Sequence, residues 1–281
     1  MKNVTVSTIL KKKRAGEKVT MVTAYDYPAA VQADQAGVDM ILVGDSLGMT
    51  VLGYDTTVQV TMEDMIHHTK AVARGAKTPL IVTDLPFLSY HLSPEDGLRN
   101  AGRLLQEGGA QAVKLEGGKE VAKTVEKIVA SGIPVMGHMG FTPQSIHKFG
   151  GFYFQGKSSQ GALELVEGAR ALEEAGAFAV VLELVPWEVA QKVSETLAIP
   201  TIGIGSGPAC DGQVQVFHDL FGLVSGFKPR HAKEYAEVGK AIQEGLKEYV
   251  REVKEGIFPT EENTRRMDQA ELAEFKRLLE K

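Results

Sequence analysis

The run Met40-Ile-Leu-Val-Gly-Asp-Ser-Leu-Gly48 opens on four apolar residues and ends in two glycines around Asp45-Ser46-Leu47. Four consecutive apolar residues are too few for a helical face and read as a strand buried on both sides, as in a parallel sheet. Gly44 ends that strand, and Asp45-Ser46 stands at its carboxyl end. The event recurs along the chain. Leu80-Ile-Val-Thr-Asp84 ends in an aspartate, Ala112-Val-Lys-Leu-Glu116 carries a lysine and a glutamate, Pro134-Val-Met-Gly-His138 a histidine, and Ala179-Val-Val-Leu-Glu183 a glutamate. Ionisable residues at one end of several parallel strands are how an α/β barrel builds an active site.

Working outward, Val19 to Tyr25 reads as the first strand, Pro79 to Asp84 as the third, Phe178 to Val185 as the sixth, Pro200 to Gly205 as the seventh and Gln213 to Phe217 as the eighth, with His218-Asp219 at its end. Helical patterns alternate with them, opened by Thr61-Met-Glu-Asp64 and by Ser93-Pro94, where a capping side chain precedes an acidic or proline-containing first turn. The expected fold is α/β: a (β/α)8 TIM barrel with an N-terminal helix, Ser7 to Gly16, across its bottom and a C-terminal helical extension. A doubly wound open sheet stays open as an alternative, because closure is not visible in sequence. The last barrel helix is expected from Ala232 to about Glu255. Residues 1–256 would then be the catalytic barrel, and 257–281 a polar helical extension packed outside it or on a neighbouring subunit. Between His138 and Gly161 lies a connection rich in glycine and aromatics, far longer than an ordinary loop, which is the length of a lid or a subunit contact.

The chain of 281 residues carries a net charge of -5, which argues against broad attraction to nucleic acid or an anionic membrane. Its one basic run, Lys11 to Arg14, reads as the solvated side of a helix. No apolar run is long enough to cross a bilayer, and the amino terminus lacks a secretory pattern. With a single cysteine, Cys210, no intrachain disulfide is possible; a cytoplasmic location is expected.

Asp45 and Asp84 end neighbouring strands and could share a divalent ion, with Glu116 as a third oxygen ligand; two carboxylates with open positions suit Mg²⁺. Capping of the following loops would explain the aspartates equally well. Lys114 lies two residues before Glu116, so strand alternation puts both in the barrel interior. There a lysine needs a partner: a substrate carboxylate, an enolate oxygen, a Schiff base or the surrounding acids. Glu183 interrupts an apolar strand and is a candidate general base. His138 would contact substrate, orient a ligand or sit as a satisfied core histidine. Gly203-Ile-Gly-Ser-Gly207 is a weak phosphate-loop signal without the Lys-Ser/Thr of a P-loop, and Cys210 reads as a small buried apolar residue. The adjacent His67 and His68 do not share a helical face, which makes them poor joint metal ligands.

Tyr25-Asp26, Val43-Gly-Asp-Ser-Leu-Gly48, Val82-Thr-Asp-Leu-Pro86, Val113-Lys-Leu-Glu-Gly117, Gly137-His-Met-Gly-Phe-Thr-Pro143, Leu182-Glu-Leu-Val-Pro186 and Ile202-Gly-Ile-Gly-Ser-Gly207, in that order, resemble the ketopantoate hydroxymethyltransferase family as far as about Gly256. The resemblance implies transfer of the one-carbon unit of 5,10-methylenetetrahydrofolate to 3-methyl-2-oxobutanoate, through an enolate stabilised by Mg²⁺. The products would be 2-dehydropantoate and tetrahydrofolate, a step of pantothenate and coenzyme A biosynthesis. It implies that Asp45, Asp84 and Glu116 bind the metal, that Ser46 and Lys114 contact the oxo acid, and that Glu183 accepts the proton. Asp45, Asp84 and His138 complete the expected substrate-binding set. A large homo-oligomer, commonly a decamer, is implied as well. The nearest alternative is an Mg²⁺-dependent lyase or mutase of the isocitrate lyase and phosphoenolpyruvate mutase type, which usually carries a cysteine-containing lid motif not seen here. A catalytically inert barrel serving as a scaffold is the other.

Overall fold

A computed structural model describes residues 3–224 and 229–280. In chain order the elements are α1 (Val6–Ala15), β1 (Val19–Thr23), α2 (Tyr27–Ala36), β2 (Met40–Val43), α3 (Leu47–Thr50), α4 (Met62–Gly75), β3 (Leu80–Asp84), α5 (Pro94–Arg103), β4 (Ala112–Glu116), α6 (Ala122–Ala130), β5 (Val135–Gly140), α7 (Ile146–Phe149), α8 (Ser159–Glu174), β6 (Ala179–Glu183), α9 (Trp187–Thr196), β7 (Thr201–Ile204), β8 (Gly212–Gln215), α10 (Phe217–Leu220), α11 (Val238–Glu255) and α12 (Gln269–Leu279). The eight strands pair in parallel and in sequence order, and β8 returns to β1, so the sheet is a closed TIM barrel. The open-sheet alternative is thereby excluded.

Alternation sorts each strand into two layers. Met40, Leu42, Val82, Ala112, Met136, Val181, Ile202 and Val214 fill the barrel, while Ile41, Val43, Ile81, Val113, Leu115, Val180 and Leu182 face the helices. α1 crosses the bottom as expected and drives Ile9, fully buried, into the inner layer. Its basic run is not merely solvated: Lys12 meets Asp39 at 2.5 Å, and Lys13 meets Asp211 at 2.8 Å and the Ser194 carbonyl at 2.8 Å. Both aspartates also accept from a backbone amide and a hydroxyl on an adjacent strand, so the helix is tied to the strand starts. The helix starts at Thr61 and Ser93 form as their sequences predict, the first with a reciprocal capping box to Asp64.

The carboxyl-terminal part departs from expectation. β8 ends at Gln215 rather than Phe217, and α10 carries His218 and Asp219 over the strand end. No helix separates β7 from β8; a short turn joins them. The helix expected from Ala232 begins at Val238, ends at a left-handed Gly256 and buries none of its residues. Ile242, Leu246, Tyr249, Val250 and Val253, at helical spacing on one stripe, are 45–58% exposed. α11 therefore does not cover its own barrel, because an amphipathic pattern specifies an apolar partner without specifying which one.

Candidate active site

The strand register carries the ionisable residues to one rim. Asp84 pairs with Lys114, Glu116 with His138, and Gly140 with Glu183 across successive strand pairs. Asp45 follows β2, and its amide donates to Asp84 Oδ2 at 3.1 Å. Gly44 permits that approach, since a Cβ there would meet Ser46 Oγ at 2.8 Å. Gly140 is more demanding: its φ is +93°, and a Cβ would lie 2.2 Å from the Glu183 carbonyl. Leu184, directly after Glu183, holds a left-handed φ of 47°, which is strain kept where the strand presents its glutamate.

Asp45, Ser46, Asp84, Lys114, Glu116, His138 and Glu183, the whole expected set, line one cavity of about 510 Å³. Lys114 Nζ lies 3.0 Å from Asp84 Oδ1 and 3.1 Å from His138 Nδ1. The ammonium has only donors, so Nδ1 accepts and the imidazole proton resides on Nε2, 3.2 Å from Glu183 Oε2. Burial holds His138 below its ordinary pKa, and Lys114 adds to the effect, which agrees with a neutral ring. Burial by itself pulls Lys114 down, but Asp84, Glu116 and Asp45 together reverse this and leave it above the usual lysine value.

Burial pushes Asp45 well upward, and repulsion from Asp84 and Glu116 adds to it. Burial likewise raises Glu116 to about 8, opposed by Lys114 and assisted by Asp84. Crowded carboxylates of this kind call for a cation. Glu116 Oε1 has no hydrogen-bond partner; neither have Asp84 Oδ1 and His138 Nε2, whose contacts with Lys114 and Glu183 are close but lack hydrogen-bond geometry. Among the described residues no group of three or more Asp, Glu, His or Cys side chains is placed to hold a metal ion by itself. An incomplete, all-oxygen donor set with spare lone pairs fits a hard divalent ion that completes its shell with water or a chelating ligand.

Two residues without an assigned part in the sequence reading hold the acids in place. Gln144 donates from Nε2 to Asp45 Oδ2 at 2.8 Å and to the Leu85 carbonyl at 3.0 Å, while its backbone amide donates to Glu116 Oε2 at 3.0 Å. The Tyr90 hydroxyl donates to Gln144 Oε1 at 2.8 Å and accepts from the Glu116 amide at 3.1 Å. Tyr25 forms a third support, its hydroxyl 2.8 Å from Ser46 Oγ and its pKa pushed up to about 12 by burial. A glutamine in a long loop and a tyrosine after β3 carry no local signal of these bonds, which reach 26 to 99 residues along the chain.

The weaker motifs lie elsewhere. In the Gly203 to Gly207 turn, Ser206 is buried, donating to the Leu182 carbonyl and accepting from the Val185 amide, so its hydroxyl is committed to the scaffold. Cys210 is buried and free. His68 contacts the Tyr25 carbonyl through Nδ1.

The family model for ketopantoate hydroxymethyltransferase matches residues 3–261. The chain belongs to that family. It is 56% identical over 264 residues to the 3-methyl-2-oxobutanoate hydroxymethyltransferase of Acetivibrio thermocellus, covering 94% of this chain and 93% of that one. With the enzyme of the same name from Chloroflexus aurantiacus it shares 56% over 270 residues, 96% and 95% of the two chains. Among solved structures, a phosphonopyruvate hydrolase complex with oxalate and Mg²⁺ superposes with a TM-score of 0.61 at 13% identity, over 97% of this chain and 96% of the other. A 2,3-dimethylmalate lyase of the PEP mutase/isocitrate lyase superfamily does so with a TM-score of 0.58 at 17% identity, over 100% and 96%. At such identities this chain shares a barrel with those lyases and hydrolases; its family assignment rests on the family model and the more similar relatives. No helix among the described residues is long and apolar enough to cross a membrane.

Proposed function

We propose that this chain joins the one-carbon unit of 5,10-methylenetetrahydrofolate to 3-methyl-2-oxobutanoate, giving 2-dehydropantoate and tetrahydrofolate for pantothenate and coenzyme A synthesis. The observation that carries the reading is the meeting of Glu183, Lys114 and the three acids in one cavity, in a member of this family. Asp45, Asp84 and Glu116 would hold Mg²⁺, which when bound polarises the oxo acid's ketone and acidifies the neighbouring C3 proton. Lys114 and Ser46 bind and orient the oxo acid, with Lys114 balancing negative charge as it moves toward the ketone oxygen. Glu183 takes the C3 proton, and His138 fixes the carboxylate from its Nε2 side. The C3 carbon then bonds to the methylene carbon as that carbon leaves one folate nitrogen, which takes the proton removed from C3; a water supplies the hydroxyl oxygen as the second carbon–nitrogen bond breaks, and its other proton goes to that second nitrogen.

Deuterium exchange at C3 of the oxo acid, followed by NMR without folate, isolates the first step. Wild-type protein with Mg²⁺ should exchange, and Glu183→Gln should bind the acid without exchanging it. Exchange by Glu183→Gln at the wild-type rate removes Glu183 from the role of base. Product formation that does not require folate would favour the lyase reading.

Assembly belongs to the same proposal. The stripe on α11 is too extensive to stay in water, as is the exposed set Leu272, Phe275 and Leu279 on α12, and a second copy of the chain is the partner we assign to them. The protein is then a homo-oligomer, with a decamer expected by solution mass. Leu246→Glu with Val253→Glu should lower that mass; an unchanged mass places the interface elsewhere.

A further inference from the structure

The site cavity has two unlike halves. At its floor Asp45, Asp84, Lys114, Glu116 and His138 are each at most 5% exposed, and Leu42, Val181, Ile204 and Val214 supply apolar wall for a small branched acid. A volume of about 510 Å³ lies in the range that accommodates drug-sized ligands, far more than one small oxo acid fills. Toward the mouth the lining changes to Met49, Phe152, Phe154 and Leu184, with Asp219 and Arg230 as charged groups. Phe152 and Phe154 remain about half exposed although Phe152 is anchored, its ring 5.0 Å from that of buried Phe141. Flat apolar surface held open above a polar floor implies a flat occupant.

We propose that this mouth is the pterin subsite of the one-carbon donor: Phe152 and Phe154 lie against the ring, the Asp219 carboxylate accepts from its amino-pyrimidine N–H edge, and Arg230 meets the carboxylate tail. The assignment rests on the reaction proposed above, in which donor carbon and oxo-acid C3 must come into contact. A second cavity of about 590 Å³ lies nearby, lined by Tyr90, Gln144, Lys119 and Lys148, and of the site acids it reaches only Glu116. Neither Glu183 nor Lys114 lines it, so a donor bound there could not deliver carbon to the activated atom. Asp219 sits on α10 with His231 as its charged neighbour; burial raises its carboxyl above the ordinary aspartate value, which suits a group that shares a hydrogen with a ligand.

The test measures binding of tetrahydrofolate to the Mg²⁺-loaded full-length protein in the presence of oxo acid, by anaerobic titration calorimetry. Asp219→Asn should weaken it roughly 10- to 100-fold, the range for losing a hydrogen bond to a charged group. Phe154→Ala, an exposed change that cannot threaten folding, should weaken it about tenfold by loss of stacking. Oxo-acid affinity should stay at the wild-type value in Phe154→Ala. Wild-type tetrahydrofolate affinity in both variants overturns the subsite, as does loss of affinity in Lys148→Gln alone, which would move the donor to the second cavity. Wild-type protein that fails to exchange C3 deuterium instead overturns the underlying reaction, so the two failures are distinguishable.

Discussion

Metal-free protein should lose stability as pH rises from about 4.5 to about 8, and Glu116 is the group responsible. Its folded pKa of about 8 stands against an ordinary 4.5. Over that interval the folded state holds a proton that the unfolded state has released, so unfolding free energy falls with pH and levels off above the folded pKa. The difference of 3.5 units, at about 1.4 kcal/mol each, sets a ceiling of roughly 5 kcal/mol. Asp45 is raised by the same crowding and competes for the same proton, so about half of that, ~2–3 kcal/mol, is expected for Glu116 itself. Urea denaturation in EDTA at pH 5, 6, 7 and 8, at one protein concentration, measures the slope. Glu116→Gln, which stands in for the protonated form, should flatten it, and the difference between the two proteins reports Glu116 together with the Asp45 titration coupled to it. Added Mg²⁺ should restore more stability at pH 8 than at pH 5, since metal and proton compete for the same oxygens. A slope in Glu116→Gln equal to the wild-type slope refutes the reasoning.

Other outcomes follow from the same geometry. Lys114→Met removes the cation from among the site acids and should destabilise the metal-free fold by about 3–5 kcal/mol at pH 8 but less at pH 5, where Glu116 is protonated; equal losses at both pH values would disprove the pairing. Gln144→Leu leaves Asp45 and the Leu85 carbonyl short of a donor, and Mg²⁺ affinity by calorimetry should fall about tenfold with the barrel's circular dichroism intact; unchanged affinity argues against the bracket. Gly140→Ala forces a Cβ against the Glu183 carbonyl in a left-handed backbone and should cost about 3 kcal/mol by denaturant titration, whereas a loss below about 1 kcal/mol shows that the strand ends can part.

Much of the site was legible in the chain because a strand buried on both faces is a short apolar run, against which an ionisable residue stands out. Asp45, Asp84, Lys114, Glu116, His138 and Glu183 were found that way, and the two-residue spacing of Lys114 and Glu116 already placed both inside. Local chemistry also specified the helix starts at Thr61 and Ser93, where cap and first turn are contiguous. Closure of the barrel was not legible, since pairing of β1 with β8 joins residues nearly two hundred positions apart and leaves no periodic trace. For the same reason Gln144, bonded to acids on two other strands, looked like any polar loop residue, and Lys12 and Lys13 looked like solvated charge. α11 marks the boundary most plainly. Its apolar spacing determined that a helix would form and would need a partner, whereas only the tertiary structure, in which α11 buries none of its residues, decided that its own barrel is not that partner.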